Sequence, residues 1–391
     1  MNSLGKHNYE IIVRDFKMSM TVLVTGGLGF IGHSTAVLLH KNGFNVTVLD
    51  NLDPQVHGQN PDPTKFSFGI DRVTIGSITN ERQFTRALAD VEYIYHFAAL
   101  TGSNQSFIKA GKYSEVNAVG SSLLFQILLK NNEIRRNIRK IIVASSSYVY
   151  GEGAYFCKEH GLVYPSSRAY SDLLKGKWEI RCPFCNGRLD PYPVAESKPV
   201  QNPNPYSLSK YYTESLSLLY SEILSIPVVI FRYFNVYGPG QSLRNPYTGV
   251  ISIFYSRLRA KKNPVIYEDG HMKRDFVYID DIAKINEMAM NKGEGIYNVG
   301  TGVPTDIITI YHNLSRNVNS HVSPTYNNES RPGDIRSIYA NKNKLISEFG
   351  NINFTSVDEG INKFTKWANR EETEEKYDAV EEERKKIFFP P

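Results

Sequence analysis

The segment TVLVTGGLGFIGHS, residues 21–34, constrains this chain more than any other stretch. A short β-branched run meets a glycine-rich turn, and the turn runs directly into an apolar helical pattern. Gly26, Gly29 and Gly32 allow a tight turn, close approach of the backbone to a pyrophosphate, and contact between helix and strand. The start of the helix offers unpaired N–H groups and a partial positive charge to phosphates. A glycine triplet alone marks many ordinary turns. Here it follows a strand and opens a helix, and the next β-branched run, NVTVLD, ends in Asp50. A carboxylate at that point accepts hydrogen bonds from ribose hydroxyls and repels a 2′-phosphate, so NAD is expected rather than NADP. The competing reading is a structural turn followed by a solvent-facing Asp.

The rest of the chain continues that rhythm. RVTIGS (72–77), YIYHFAA (93–99), KIIVASS (140–146) and PVVIFRYF (227–234) are further strand candidates, separated by helical stretches such as HSTAVLLHKNG. Strands alternating with helices predict a parallel sheet covered on both faces, hence an α/β class. After Asn235 the strands shorten and Gly, Pro and Tyr cluster, which predicts a smaller lobe built from discontinuous pieces. The division expected is a polar leader over 1–19, a dinucleotide-binding domain over 20–235 and a second lobe over 236–370, with 275–300 returning to the first domain. Residues 371–391 are highly charged and read as a peripheral helix and tail.

Composition narrows the function classes. The chain has 391 residues, 41% hydrophobic and 22% charged, as an ordinary globular enzyme has. Its net charge of +5 is spread out, and RRNIRK at 135–140 is too short for a nucleic-acid surface, so no nucleic-acid partner is expected. No apolar run approaches the ~18 residues of a membrane span, and the opening lacks a signal-peptide core. Three cysteines cannot pair completely, which favours a reducing compartment and a cytoplasmic protein. They are not scattered: Cys157 and His160 form one knuckle, Cys182 and Cys185 another. That S₃N set has the spacing of a closed structural zinc site. Three free thiols and a surface His are the bland alternative.

NPYSLSK places Tyr206 and Lys210 four apart on one helix face. A phenol with a pKa near 10 is a poor base at neutral pH. A cation about 6 Å away, at an effective dielectric of about 20, contributes roughly 2.8 kcal/mol, or about two pK units. Lys210 together with an oxidised nicotinamide would move the phenol's pKa toward neutrality and equip Tyr206 to take a proton from a hydroxyl. Taken alone, a Tyr–Lys pair on a helix is more often a surface pair.

The spacing G-x-x-G-x-x-G together with Tyr206-x3-Lys210 resembles the short-chain dehydrogenase/reductase superfamily, in its extended branch that acts on nucleotide sugars. The resemblance covers roughly residues 20–365 and implies a Rossmann-type doubly wound sheet with a discontinuous substrate-binding lobe. It implies that Phe30 and Ile31 cover the pyrophosphate, and that Asn51 joins Asp50. Ser77 and Ile78 take the adenine side, with Ser77 where relatives carry Asp. Phe97, Ala98 and Ala99 line the adenosine side, Asn117 braces the central strands, and Lys210 and Tyr233 belong to the cofactor set.

In that branch the catalytic hydroxyl lies four residues before the Tyr of a Tyr-Gly pair, which assigns Ser146, with Tyr150-Gly151 as anchor. Ser147 and Tyr148 follow it into the substrate site. Related 4,6-dehydratases carry Asp-Glu at those two positions, so a dehydratase is disfavoured. The resemblance further assigns Asn235 to the substrate diphosphate or nicotinamide edge, Arg274 to the diphosphate, and Arg331 with Asp334 to the second phosphate and the nucleoside ribose.

Most relatives cross from Gly151 to Tyr206 with a much shorter loop, so 152–205 is an insertion carrying the zinc-type knuckles. YGEGAYFC, DNLDPQVHG and NPYTGVISIF resemble enzymes assigned as dTDP-L-rhamnose 4-epimerases, whose Cys-rich insertion sits at the same place. The expectation is a homodimeric nucleotide-sugar 4-epimerase with tightly bound, recycled NAD and structural zinc. The rivals are a UDP-glucose or UDP-N-acetylglucosamine 4-epimerase, a 4,6-dehydratase or reductase, and a non-catalytic NAD-binding redox sensor.

Overall fold

The computed structural model describes residues 20–388 apart from 60, 63, 65–67 and 332, so the 1–19 leader and the end of the 371–391 tail lie outside the described residues. At its centre is a seven-stranded, wholly parallel sheet. Its order from one edge to the other is Gly295–Val299, Val228–Tyr233, Lys140–Ser146, Tyr93–His96, Thr21–Thr25, Asn45–Asp50 and Arg72–Ile75. Successive side chains point to opposite faces of a strand. Val22, Val24, Val46 and Val48 therefore enter one core with Tyr95, Ile142 and Phe231. Leu23, Leu49, Ile94 and Ile141 enter the other, beneath Phe84, Leu124 and Leu128 from the covering helices. Burial on both faces is why these strands read as continuous apolar runs rather than alternating ones.

The strand order reverses between Thr21–Thr25 and Tyr93–His96. Both connections leave the sheet there in opposite directions, which opens a crevice at the carboxyl ends of the strands where ligands bind in such sheets. The helix Phe30–Lys41 starts at that crevice. The long helix Pro205–Leu224 starts beside it, capped by Asn204, whose side chain accepts from the Ser207 N–H at 2.8 Å in a reciprocal capping box.

Beyond Asn235 the chain builds a second lobe. Its three-stranded sheet is Asn235–Tyr237, Lys273–Tyr278 and Pro304–Asp306, and its own core joins Phe254, Tyr255, Phe276, Ile310 and Phe364. Between those pieces the helix Ile279–Met288 packs on the Phe30–Lys41 helix and leads to Gly295–Val299, the sheet's edge strand. The insertion forms a separate small ribbon, Ala154–Cys157 between Gly161–Val163 and Asp190–Tyr192. The charged segment near the C-terminus holds the helix Tyr377–Phe388.

Candidate active site

One cleft of about 1670 Å³ runs along the carboxyl ends of the strands and into the second lobe. A typical small-molecule site is about 300–1,000 Å³, so this cleft has room for two ligands side by side. Gly26, Gly29, Phe30, Ile31, Gly32, Asp50, Asn51, Ser77, Ile78, Phe97, Ala98, Ala99 and Tyr233 all lie on its wall, as do Ser146, Ser147, Tyr148, Tyr206, Lys210, Asn235, Arg274 and Arg331. The sequence motifs, spread over three hundred residues, converge on a single surface.

The glycine turn fits a pyrophosphate on steric grounds. Gly26 has φ +67°, and a Cβ there would meet the Ala98 backbone at 2.8 Å; a Cβ on Gly32 would lie 2.2 Å from the Gly26 carbonyl oxygen. Side chains at either position would push apart the turn and the helix, so glycine keeps the first N–H groups of Phe30–Lys41 open to the cleft. Asp50 is buried, and its two oxygens accept from the Leu28 N–H at 3.0 Å and the Leu52 N–H at 2.8 Å. These bonds fix a carboxylate at the strand end and leave further lone pairs for a ribose. Thr25 completes this wall: its hydroxyl oxygen accepts the Phe97 and Ala98 N–H groups at 3.1 Å each. Ser77, given to the adenine by resemblance, also works locally, its Oγ accepting the Thr79 N–H at 3.1 Å.

Asn117 is a brace, but between elements other than the central strands. It sits behind the wall, in the wide π-helical turn Ser114–Val119. Its amide donates to the Leu100 carbonyl at 3.0 Å and to Ser209 Oγ at 2.9 Å, and accepts the Leu100 N–H at 2.8 Å. It therefore ties the cleft loop to the helix that carries Tyr206 and touches no ligand space.

Tyr206, half-buried, stands between the rings of Tyr113 and Tyr148, at centroid distances of 6.3 and 6.4 Å. Burial pushes its phenol up to about 12, and a hydrogen bond with Ser146 works the other way. Lys210 is buried one turn along, its ammonium donating to the Ala144 carbonyl at 2.8 Å. Burial depresses its pKa to about 8, against the raising influence of Glu214. At neutral pH this is a charged ammonium one turn from a protonated phenol; Tyr206 becomes a base only on losing that proton, an ionisation that the Lys210 charge favours.

Sequence reading missed the brace behind this pair. Glu214 continues the Tyr206–Lys210 face by one more turn, and its carboxylate accepts from Arg232 Nε at 2.9 Å and Nη2 at 2.6 Å and from the Ser145 hydroxyl. The i, i+4, i+8 series Tyr206, Lys210, Glu214 was the available signal. Arg232 had none, because its partner lies on another element.

On the substrate side Arg274 is buried, with Nη1 donating to the Lys273 carbonyl at 2.9 Å. Arg331 lies over the Tyr267 ring, its guanidinium carbon 4.3 Å from the centroid. Asp334 is not on the cleft wall: it accepts from Arg331 Nε at 2.8 Å, so it orients the arginine from behind. The charged C-terminal segment is less peripheral than expected, since Tyr377, Val380 and Glu381 line the cleft and the Tyr267 hydroxyl lies 2.6 Å from that of Tyr377.

The insertion gathers Cys157, His160, Cys182 and Cys185 with all four donor atoms within 4.8 Å of one another. Cys157 Sγ lies 3.7 Å from both Cys185 Sγ and His160 Nδ1, and Cys182 Sγ lies 3.7 Å from His160 Nδ1. Zinc–sulfur bonds of about 2.3 Å at a tetrahedral angle put sulfurs about 3.8 Å apart, so the set fits a closed tetrahedral ion. Four protein donors leave no position for chemistry.

The NAD dependent epimerase/dehydratase family model matches residues 22–171 and 187–300, breaking only inside the insertion. A dTDP-L-rhamnose 4-epimerase of Burkholderia thailandensis is 31% identical over 90% of this chain and 95% of its own. A putative UDP-glucose 4-epimerase of Methanocaldococcus jannaschii is 30% identical over 88% of this chain and 97% of its own. The crystal structure of a UDP-glucose 4-epimerase from Thermotoga maritima, with UDP-glucose, is 26% identical with a TM-score of 0.72, over 90% of this chain and 99% of that one. With its glycine turn, its Ser146–Tyr206–Lys210 cleft and these matches, the chain belongs to the NAD dependent epimerase/dehydratase family.

Proposed function

We propose that this protein is an NAD-dependent nucleotide-sugar 4-epimerase acting on a dTDP-L-rhamnose-like 6-deoxyhexose. The observation that carries the reading is the Ser146–Tyr206–Lys210 set in one cleft with Ser147 and Tyr148, and no carboxylate, directly after the catalytic hydroxyl. Elimination of water across C5–C6 needs an acid and a base beside the sugar, and these two positions supply neither. The similarity to the Burkholderia rhamnose epimerase supports the sugar class.

The glycine turn, Asp50 and the Phe97–Ala99 wall would hold NAD, which when bound supplies a reversible hydride acceptor for C4. Tyr206, once ionised to its phenolate, takes the proton of the C4 hydroxyl and as the phenol later returns it. Ser146 hydrogen-bonds the same oxygen and steadies the charge as it develops. Lys210 keeps the phenolate accessible. Arg274 and Arg331 grip the diphosphate by charge-assisted bonds while the 4-keto sugar turns its other face. No redox equivalent is consumed overall.

Two further features belong to this reading. Cys157, His160, Cys182 and Cys185 are assigned one structural zinc. A homodimer is assigned to the apolar stripe Leu208, Tyr212, Leu219 and Ile223, which share one face of the Pro205–Leu224 helix and are each more than 40% exposed. Sedimentation of the purified protein tests the dimer, with a monomer overturning it. No helix among the described residues is long and apolar enough to cross a membrane.

The test of activity is incubation with a panel of dTDP- and UDP-sugars without added cofactor, followed by NMR of the products. A C4 epimer is expected. A stable 4-keto-6-deoxy sugar, or stoichiometric consumption of a reduced nicotinamide, would replace this reading with dehydratase or reductase chemistry.

A further inference from the structure

The segment between the two knuckles, 161–181, is closed into a loop by the Cys/His cluster at its ends, and it sends two charged side chains into the second lobe. Arg168 is one. Its side chain is 4% exposed, and Nη2 lies 2.7 Å from Glu268 Oε1 and 3.2 Å from the Asp334 carbonyl. Nη1 donates to the Trp178 carbonyl at 3.2 Å, within the same segment. Glu179 is the other, bonded to the Arg336 guanidinium through Nε at 3.1 Å and through Nη2.

Glu268 is the hub. It is fully buried, and besides Arg168 it accepts from Ser330 Oγ at 3.1 Å and Arg336 Nη1 at 3.1 Å. Its own N–H donates to the Glu329 carbonyl at 3.0 Å. Its φ of +52° is a left-handed conformation that costs a non-glycine residue energy, held here by the surrounding bonds. The groups on either side are those that set Arg331. Tyr267, adjacent in sequence, forms the ring beneath the Arg331 guanidinium, while Ser330 precedes Arg331 and Asp334 holds its Nε. A carboxylate buried among two guanidiniums and a hydroxyl is costly to leave half-paired, so the insertion and this loop are bound to one geometry.

We infer that Arg168 is a positioning residue for nucleotide binding: through Glu268 and the Asp334 carbonyl it fixes the loop that presents Arg331 to the diphosphate of the substrate. The inference rests on the nucleotide-sugar reading of the cleft. It gives the insertion a purpose that its closed donor set does not. The Cys/His cluster shapes a loop, and the loop sets the grip on the nucleotide from a wall it does not itself line.

The test measures binding rather than turnover. Calorimetric titration with dTDP and with UDP is made on the full-length wild type, Arg168→Met, Arg331→Met and the double variant, each checked for copurified NAD. Arg168→Met should weaken nucleoside diphosphate binding about tenfold or more, and Arg168→Lys should recover part of the loss. In the Arg331→Met background the same change should cost less than about twofold, since two residues acting through one contact are non-additive. If Arg168→Met fails to fold because Glu268 is left unpaired, Arg168→Met/Glu268→Gln removes both charges and should fold with NAD yet bind the diphosphate as weakly. Unchanged affinity, or a loss that simply adds to that of Arg331→Met, overturns the inference. A wild type that retains NAD and binds neither diphosphate removes the nucleotide-sugar reading, and the role of Arg168 with it.

Discussion

The two walls of the cleft are held in place by different means. On the cofactor wall, Gly26, Gly29 and Gly32 fall within seven residues of chain, and Asp50 reaches back to the Leu28 N–H across one neighbouring strand. Most of that geometry is backbone, fixed by the sheet register. On the substrate wall, Arg331 depends on Tyr267, Asp334, Glu268 and Arg168, from segments separated by up to 166 residues of sequence. Backbone geometry of the first kind tolerates most surface change and fails at a few glycines. Buried charges of the second kind are sensitive at every member, because removing one partner strands another.

The largest effect is expected where the walls meet. Tyr206→Phe keeps the ring between Tyr113 and Tyr148 and removes only the hydroxyl, so kcat should fall by about 10³-fold or more while NAD content and nucleotide binding stay near wild type. Single-turnover assays with a nucleotide sugar would show it, and full activity in this variant would remove the assigned base. Gly32→Ala should break the cofactor wall alone. A Cβ 2.2 Å from the Gly26 carbonyl cannot fit without moving the turn, at a cost of about 1–3 kcal/mol and with loss of copurified NAD. Retention of NAD at wild-type melting temperature would show that the turn is not the rigid element described.

The converse variant is Cys182→Ser/Cys185→Ser. Metal analysis should find about one zinc per wild-type chain and none in the variant, with NAD retained and proteolysis beginning inside the insertion. Zinc-free wild type, or a variant that keeps its metal, would remove the metal assignment. Ser146→Ala should be milder, about 1–3 kcal/mol in kcat/KM, since a hydrogen bond is lost but the base remains.

The same contrast explains what could be read from the sequence. The parallel sheet, the glycine turn, Asp50 and the Tyr206–Lys210 pair were legible because each is a local pattern of strand, turn or helix face. Ser146 was legible only through its distance from Tyr150-Gly151 in a resembling family. Asp334 was assigned to a ligand, whereas it lies off the cleft wall and is bonded to Arg331; Asn117, read as a brace of the central strands, instead ties Leu100 to Ser209. A polar side chain that contacts a ligand and one that orients the contacting group look alike in sequence. Arg168, Glu268 and Arg232 carried no signal, because the partner that gives each its role is brought near only by the fold. The knuckles gave the donor set by spacing, but not the reach of the loop between them.

The smallest expected effect separates the charge of Lys210 from its packing. Its ammonium is depressed to about 8 by burial, so raising the pH through about 8 neutralises it while the phenol of Tyr206, pushed up to about 12, keeps its proton. Once the cation is gone the phenol ionises less readily during turnover, and kcat should fall about fivefold between pH 8 and pH 9. Stability should move the other way. A lysine whose folded pKa lies below its unfolded value near 10.4 binds more protons when unfolded, so its burial cost is present in full below about 8 and is relieved as the pH rises from about 8 toward about 10.4. The melting temperature of the wild type relative to Lys210→Met should therefore climb across the same window in which its activity declines. A parallel fall of both would mean that the loss of activity is unfolding, and that Lys210 acts by filling space rather than by its charge.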